Sequence, residues 1–192
     1  MARRAWVVAG LVGVVLAGAG CSSSTPDPAA TTPSQAPTPT PTPTPDAAEA
    51  QKQAAVAEAQ ATLTKFFDAS NQVGEGGYAD WSPLSPLVGG ELRPTLISIN
   101  DDRRAAGARQ TGRAAVESVE VVGYEPGQEG GGGEQVQLEA CIDNTNRKIV
   151  LADGSSDTRR TDPMRIVITY TVQNNETFWT VNSLVVDPNR TC

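Results

Sequence analysis

The chain has 192 residues, of which 22 are acidic, 15 are basic and none is histidine, so its formal net charge is −7. The acidic balance argues against nucleic acid as a partner, because nucleic acid requires a basic face, and we expect none. Without histidine, Ser-His-Asp and Cys-His catalysis and the usual zinc sites are excluded, and we expect neither a metal nor another cofactor.

The N-terminal segment predicts export from the cytoplasm. Arg3 and Arg4 precede an uncharged run, residues 5–20, that ends at Cys21. A helix over that run would span roughly 24 Å, which is less than the hydrocarbon core of about 30 Å. Residues 1–20 are therefore predicted to be a cleaved signal peptide, and an uncleaved anchor is the alternative.

The sequence Gly18-Ala19-Gly20-Cys21 resembles the lipobox of bacterial lipoproteins, although leucine is commoner where Gly18 stands. In that family, a signal peptidase cuts before the cysteine, whose thiol then carries a diacylglycerol. The resemblance implies that Cys21 is lipidated and that lipid chains hold the protein on the outer face of the cytoplasmic membrane. A plain cleaved signal, without lipid, remains the alternative.

Residues 21–45 predict a disordered stalk that begins at the lipidated cysteine. The segment 22–45 holds eight of the fourteen prolines, and residues 38–45 read TPTPTPTP. Proline favours the polyproline II conformation, so this segment would reach roughly 75 Å from the membrane. We expect a semi-rigid spacer.

The three cysteines, Cys21, Cys141 and Cys192, are an odd number for an exported protein. Lipidation of Cys21 leaves two, and an oxidising compartment permits a disulfide between them. We therefore predict the pair Cys141–Cys192.

The folded part is predicted to begin with two helices. The first runs from Asp46 to about Asn71, because Asp46 and Glu49 have capping-box spacing and apolar residues recur at helical intervals. Glycines at 74, 76 and 77 end it. A second helix is predicted over about 91–104, with Pro94 in its first turn.

From Thr111 onward, apolar and polar residues alternate, which is typical of strands. The predicted strands cover residues 116–124, 134–143, 148–151, 164–173 and 178–186. Helices followed by an antiparallel meander predict one α+β domain, 46–192, in which N-terminal helices pack on one face of a curved antiparallel sheet.

The order and spacing of three segments resemble the NTF2-like (SnoaL-like) superfamily, and in particular lipoproteins of high-GC Gram-positive bacteria that carry such a domain. The segments are LTKFFDAS, VQLEACIDNTNRKIVLADGS and FWTVNSLVV with the terminal Cys192. The resemblance implies a cone-shaped fold with a pocket between the curved sheet and the helices. Enzymes of the superfamily line that pocket with Asp, Tyr or His, and this chain has no His.

The candidate pocket residues are Tyr78 and Trp81 at a pocket mouth and Leu63 and Phe67 in its wall. We expect a non-catalytic domain that binds an envelope protein or an apolar small ligand. The alternative is an enzyme without histidine that uses Asp143 and Tyr78, since a carboxyl group in an apolar cavity is a potential general base. Against this, Asp143-Asn144 is also a typical turn.

Two further sets of residues have alternative interpretations. Arginines at 103, 104, 109, 113, 159 and 160 would hold an anionic ligand or, as we expect, pair with surface carboxylates. Residues 153–157 resemble a calcium loop only weakly, because the alternating carboxylates and the final glutamate are missing, and we predict a turn.

Cys21→Ala tests the lipid anchor. The variant cannot carry a diacylglycerol, so the protein is expected to move from the membrane fraction to the soluble or unprocessed pool. Fractionation in a two-phase detergent system measures this directly. An unchanged partition of the variant would refute lipidation at Cys21.

Overall fold

The computed structural model describes residues 46–128, 132–157 and 164–192. The predicted signal peptide, Cys21 and the stalk lie outside these ranges, as do Arg159 and Arg160. The helices and strands are α1 (Ala47–Glu75), α2 (Leu92–Ala105), β1 (Arg109–Thr111), β2 (Ala115–Glu125), β3 (Gln135–Asp143), β4 (Lys148–Val150), β5 (Arg165–Asn174) and β6 (Trp179–Asp187). Within those ranges, neither helix has a stretch both long and apolar enough to cross a bilayer.

Helix α1 is rich in alanine, which favours helix. Asp46 occupies the N-cap position as predicted, but its side chain makes no capping hydrogen bond. The helix continues one turn beyond the predicted end and is capped by Gly76. Gln110 packs closely against the helix at Gly74, where a Cβ atom would lie 2.7 Å from the Gln110 Oε1 atom. A glycine is therefore needed at this position.

Helix α2 begins one residue later than predicted and has Pro94 in its first turn. Proline is tolerated there because the first backbone N–H groups of a helix have no partner within the helix. Leu92 and Asn100, two turns apart, are buried along one side. That side of α2 faces the protein interior.

The main sheet is antiparallel, with strand order β2-β3-β5-β6. Its inner face is formed by side chains that pair across neighbouring strands, such as Ile142 with Ile166 and Tyr170 with Leu184. Leu63 and Phe66 of α1 belong to the same buried cluster as these strands. The α+β class with N-terminal helices on an antiparallel sheet is therefore confirmed.

A second sheet corrects the predicted meander. The segment Lys148–Val150 does not join the main sheet but pairs with Arg109–Thr111, a strand that the sequence did not predict. The reason is the turn at 144–147, which is closed by a 2.9 Å hydrogen bond from the Arg147 N–H to the Asn144 carbonyl. This turn directs the chain out of the main sheet after β3.

The C-terminal tail is fixed to the outer face of the main sheet. Cys192 forms a disulfide with Cys141 of β3, with a Cα–Cα distance of 5.8 Å, which confirms the predicted pair. Arg190 forms a bidentate ion pair with Glu139, at 2.6 and 2.7 Å. Val167, which pairs with Cys141 across the two strands, is buried although it lies on the outer face.

Replacing both disulfide cysteines by alanine should lower the free energy of unfolding by about 4 kcal/mol in the chain-entropy model, because the bridge joins residues 51 apart in sequence. Urea denaturation measures the difference. Glu139→Gln is the matched control: it removes the neighbouring ion pair but keeps the bridge, and should change stability much less. Two titratable thiols at 141 and 192 in the unreduced protein would contradict the pairing.

Candidate functional site: a cavity between the helices and the sheet

A cavity of about 510 Å³ lies between α1, α2 and the inner face of the main sheet. Its volume falls within the range of small-molecule sites. The sheet contributes apolar side chains from three neighbouring strands, namely Ile142, Ile166, Ile168, Leu184 and Val186. The wall opposite the helices is therefore largely apolar.

Three aromatic rings form part of the wall. Phe67 meets Phe66 edge-on at 5.6 Å between centroids and meets Tyr170 edge-on at 5.8 Å. Such edge-to-face contacts fix the rings relative to one another. The three rings therefore give the cavity an aromatic wall.

Two apolar residues form an exposed part of the cavity lining. Ile99 of α2 and Val186 of β6 both line the cavity and are 37% and 39% exposed. These two side chains therefore form an apolar part of the rim of the cavity.

The cavity also contains buried polar atoms that have no hydrogen-bond partner among the described residues. They are the Tyr78 hydroxyl, the Asn100 Nδ2 atom and both polar atoms of the Asn144 amide. Each residue is at most 7% exposed and lines the cavity. An unsatisfied buried polar group costs about 1–3 kcal/mol, so native proteins keep few of them.

Charged residues also line the cavity. The Arg103 guanidinium lies 5.2 Å from the centroid of the Tyr78 ring, which is cation–π range. Asp102, Arg147 and Asp157 are the other charged lining residues. The cavity therefore combines apolar walls with polar groups of both signs.

A satisfied polar network stands beside the unsatisfied atoms. Gln110 Nε2 donates to Asn71 Oδ1 at 2.9 Å, and Gln110 Oε1 accepts from Arg147 Nε at 2.8 Å. Asn71 also bonds both backbone groups of Ala114, each at 3.3 Å. The network ties α1 to β1 and to the turn after β3, so it holds Asn71 and Arg147 in the cavity lining.

Two of the four sequence-predicted pocket residues, Phe67 and Tyr78, line the cavity. Leu63 is 1% exposed and lies in the core, outside the lining. Trp81 lies in a second and more open depression with Phe178, where the Arg93 guanidinium is 6.0 Å from its ring centroid. The chain carries Trp81 away from Tyr78 through an irregular loop with no periodicity to predict its direction.

The alternative catalytic pair is not brought together. Asp143 follows Ile142, and because neighbouring residues of a strand point to opposite faces, its carboxylate lies on the outer side of the sheet. The hydroxyl and the backbone N–H of Thr145 lower its pKa, with the N–H at 2.7 Å from Oδ1. Asp143 thus ends β3, and its carboxylate accepts a hydrogen bond from the turn that follows. Its lowered pKa is the opposite of what a general base needs.

Two of the candidate arginines and the segment 153–157 have structural roles. Arg104 pairs with Asp101 at 2.7 Å, and Arg113 makes a bidentate pair with Glu75 at 2.7 and 2.8 Å. The Arg113 hydrogen bonds lower the pKa of the Glu75 carboxyl group. The segment 153–157 is a turn in which Asp153 accepts from Ser155 at 2.6 Å.

Asn100 and Asn144 are the residues that sequence reasoning missed. Asn144 continues the period-two series of the inner face after Ile142, and Asn100 lies one turn beyond Leu96. Polar residues at positions where the pattern requires apolar ones are the signal that would have identified both.

Comparisons with known proteins give little information about this chain. No protein-family model matches it, and no curated protein sequence matches it. It is similar to the crystal structure of the intermembrane space region of chloroplast protein ARC6, at 12% identity and a TM-score of 0.47, over 77% of this chain and 100% of that one. A likeness this distant supports no inference about fold or function.

Gln110→Ala tests the satisfied network. The variant removes the hydrogen bonds to Asn71 and Arg147 and should lower the free energy of unfolding by about 1–3 kcal/mol. Gln72→Ala, at an exposed position of α1, is the matched control and should change it by less than about 0.5 kcal/mol. Equal urea midpoints for the two variants would show that the network adds no stability.

Proposed function

We propose that this protein is a lipid-anchored extracytoplasmic lipoprotein whose folded domain binds a small, largely apolar molecule in the cavity, without catalysis. The observation that carries the proposal is the combination of apolar walls with buried polar atoms that lack partners. A site of this kind is typical of small-molecule binding, where a few polar groups orient a mostly apolar ligand.

The location rests on the sequence. The lipobox-like Gly18-Ala19-Gly20-Cys21 supports lipidation, and the Thr/Pro-rich stalk would hold the domain away from the membrane. The disulfide agrees with an oxidising compartment. Membrane association is thus proposed to occur through lipid chains and not through the domain.

We further propose that the domain has the NTF2-like cone. Helices over one face of an antiparallel sheet, with a cavity between them, support this assignment. Bulges in β2, between Val116 and Ser118 and between Val121 and Gly123, add the local bending that a curved sheet needs.

Binding is favoured over catalysis by the predicted pair, because its two members lie apart. Tyr78 lines the cavity, whereas the Asp143 carboxylate lies on the opposite side of the sheet and accepts from the Thr145 N–H. A small molecule is favoured over an envelope protein as the partner, because the polar atoms without partners are buried and out of reach of a flat protein surface.

Ser70→Leu is expected to fill part of the cavity and weaken binding of an apolar probe. Ser70 of α1 lines the cavity, so a larger side chain there takes up space that a ligand needs. Fluorine NMR of the full-length protein in detergent, titrated with (trifluoromethyl)benzene, should show line broadening for the wild type and at least about fivefold weaker binding for the variant.

Ser98→Leu is the matched control, because Ser98 is exposed on α2 and lies outside the cavity lining. It should bind the probe as the wild type does in the same detergent. If Ser70→Leu and Ser98→Leu bind the probe equally, the cavity is not the site and the proposed function is wrong.

A further inference from the structure

We propose that the ligand carries, on its apolar body, an uncharged group that both donates and accepts hydrogen bonds, such as an amide or a hydroxyl, and that Asn144 binds this group. This inference rests on the proposed function, since it names the chemistry of the ligand for the same cavity. It assigns Asn144 as the residue that determines specificity.

The backbone of Asn144 is fully engaged while its side chain is not. Its N–H donates to the Met164 carbonyl at 2.6 Å, and its carbonyl accepts from the Arg147 N–H at 2.9 Å. Its side-chain amide is buried at 7% exposure, and both Oδ1 and Nδ2 lack partners among the described residues. The backbone therefore holds the amide in place within the cavity lining.

The pair of unsatisfied atoms defines the chemistry of the missing partner. Nδ2 requires an acceptor and Oδ1 requires a donor. Exchanging the two atoms, which resemble each other closely in size, leaves this requirement unchanged. A ligand group with both functions satisfies the whole amide.

A ligand group that only donates or only accepts hydrogen bonds satisfies one of the two atoms of the Asn144 amide. A carboxylate accepts but does not donate, so it would leave Oδ1 without a partner. An ammonium group donates but does not accept, so it would leave Nδ2 without one. An uncharged donor–acceptor group is the chemistry that supplies both partners of the Asn144 amide.

A second asparagine in the same lining provides the contrast. Asn71 bonds Gln110 and both backbone groups of Ala114. The fold thus supplies partners for the Asn71 amide and none for Asn144 among the described residues. The Tyr78 hydroxyl and Asn100 Nδ2 are further groups to which a polar ligand can bond.

The test compares three probes with the same trifluoromethylphenyl body. (Trifluoromethyl)benzene has no polar head, para-(trifluoromethyl)anisole only accepts, and para-(trifluoromethyl)benzamide donates and accepts. Fluorine NMR titration of the full-length wild type should show the benzamide bound about tenfold or more tighter than the other two, because a site with buried polar groups rejects analogues that leave them unpaired.

Asn144→Leu should lose most of the preference for the benzamide, and the Tyr78 hydroxyl and the Asn100 Nδ2 atom account for what remains. It replaces the amide by an apolar group of similar shape and removes no side-chain hydrogen bond that the structure shows, so its Tm should be at or above that of the wild type. Asn146→Leu makes the same change at an exposed position and should keep the preference of the wild type. Tyr78→Phe, which removes one hydroxyl, provides a second variant and should reduce the preference.

Two outcomes separate this inference from the proposed function. Equal binding of the three probes to the wild type, with weaker binding to Ser70→Leu, would overturn the role of Asn144 and keep the cavity as a binding site. Binding of no probe above the level of Ser70→Leu would overturn both.

Discussion

The apolar inner face of the main sheet must be buried, and helices α1 and α2 cover only part of it. At one end of the sheet, the cross-strand row Val136, Val172 and Val181 is completely buried beneath the helices. At the other end, Ile142 and Ile166 line the cavity. The cavity is therefore a consequence of how the helices are placed over the sheet.

The alanine-rich side of α1 allows its close approach to the sheet. Ala55, Ala59 and Ala69 are buried along the same stripe as Leu63 and Phe66. Small side chains bring the helix backbone near the strands, while the two phenylalanines reach the edge of the cavity. On the outer face, the disulfide joins the C-terminal residue to β3, one of the strands whose inner face forms the cavity wall.

The polar atoms in the cavity reduce stability in the absence of a ligand. A leucine at 144 would fit the apolar pattern of the inner face, yet the chain has an asparagine there whose amide has no partner among the described residues. Sites that break a local packing rule are commonly functional sites. A ligand that satisfies these atoms would stabilise the folded state by mass action.

The sequence predicted much of the fold, because periodic signals are strong over long elements. The inner-face series of β3 and the buried stripe of α1 were both readable at their expected periods. Strand β1 could not be predicted, because three residues are too few to show a period. Its pairing with β4 also depends on the turn at 144–147. The disulfide followed from the number of cysteines.

The site was less predictable than the fold, and the reason differs between residues. Trp81 and Tyr78 are close in sequence, but an irregular loop sends them to different depressions. Asp143 was judged by residue type, whereas its position in the strand decides the face on which it lies. Asn144 was interpreted only as part of a turn. The period-two series of β3, continued by one step beyond Ile142, places it in the cavity.

The most direct test of the account is an intermolecular NOE measurement on the full-length protein with para-(trifluoromethyl)benzamide bound. A probe bound in the cavity should give NOEs from its aromatic protons to the methyl groups of Ile142, Ile168 and Leu184. NOEs to Trp81 and Phe178 in their place would locate the ligand in the second depression and contradict the assignment of the cavity as the binding site.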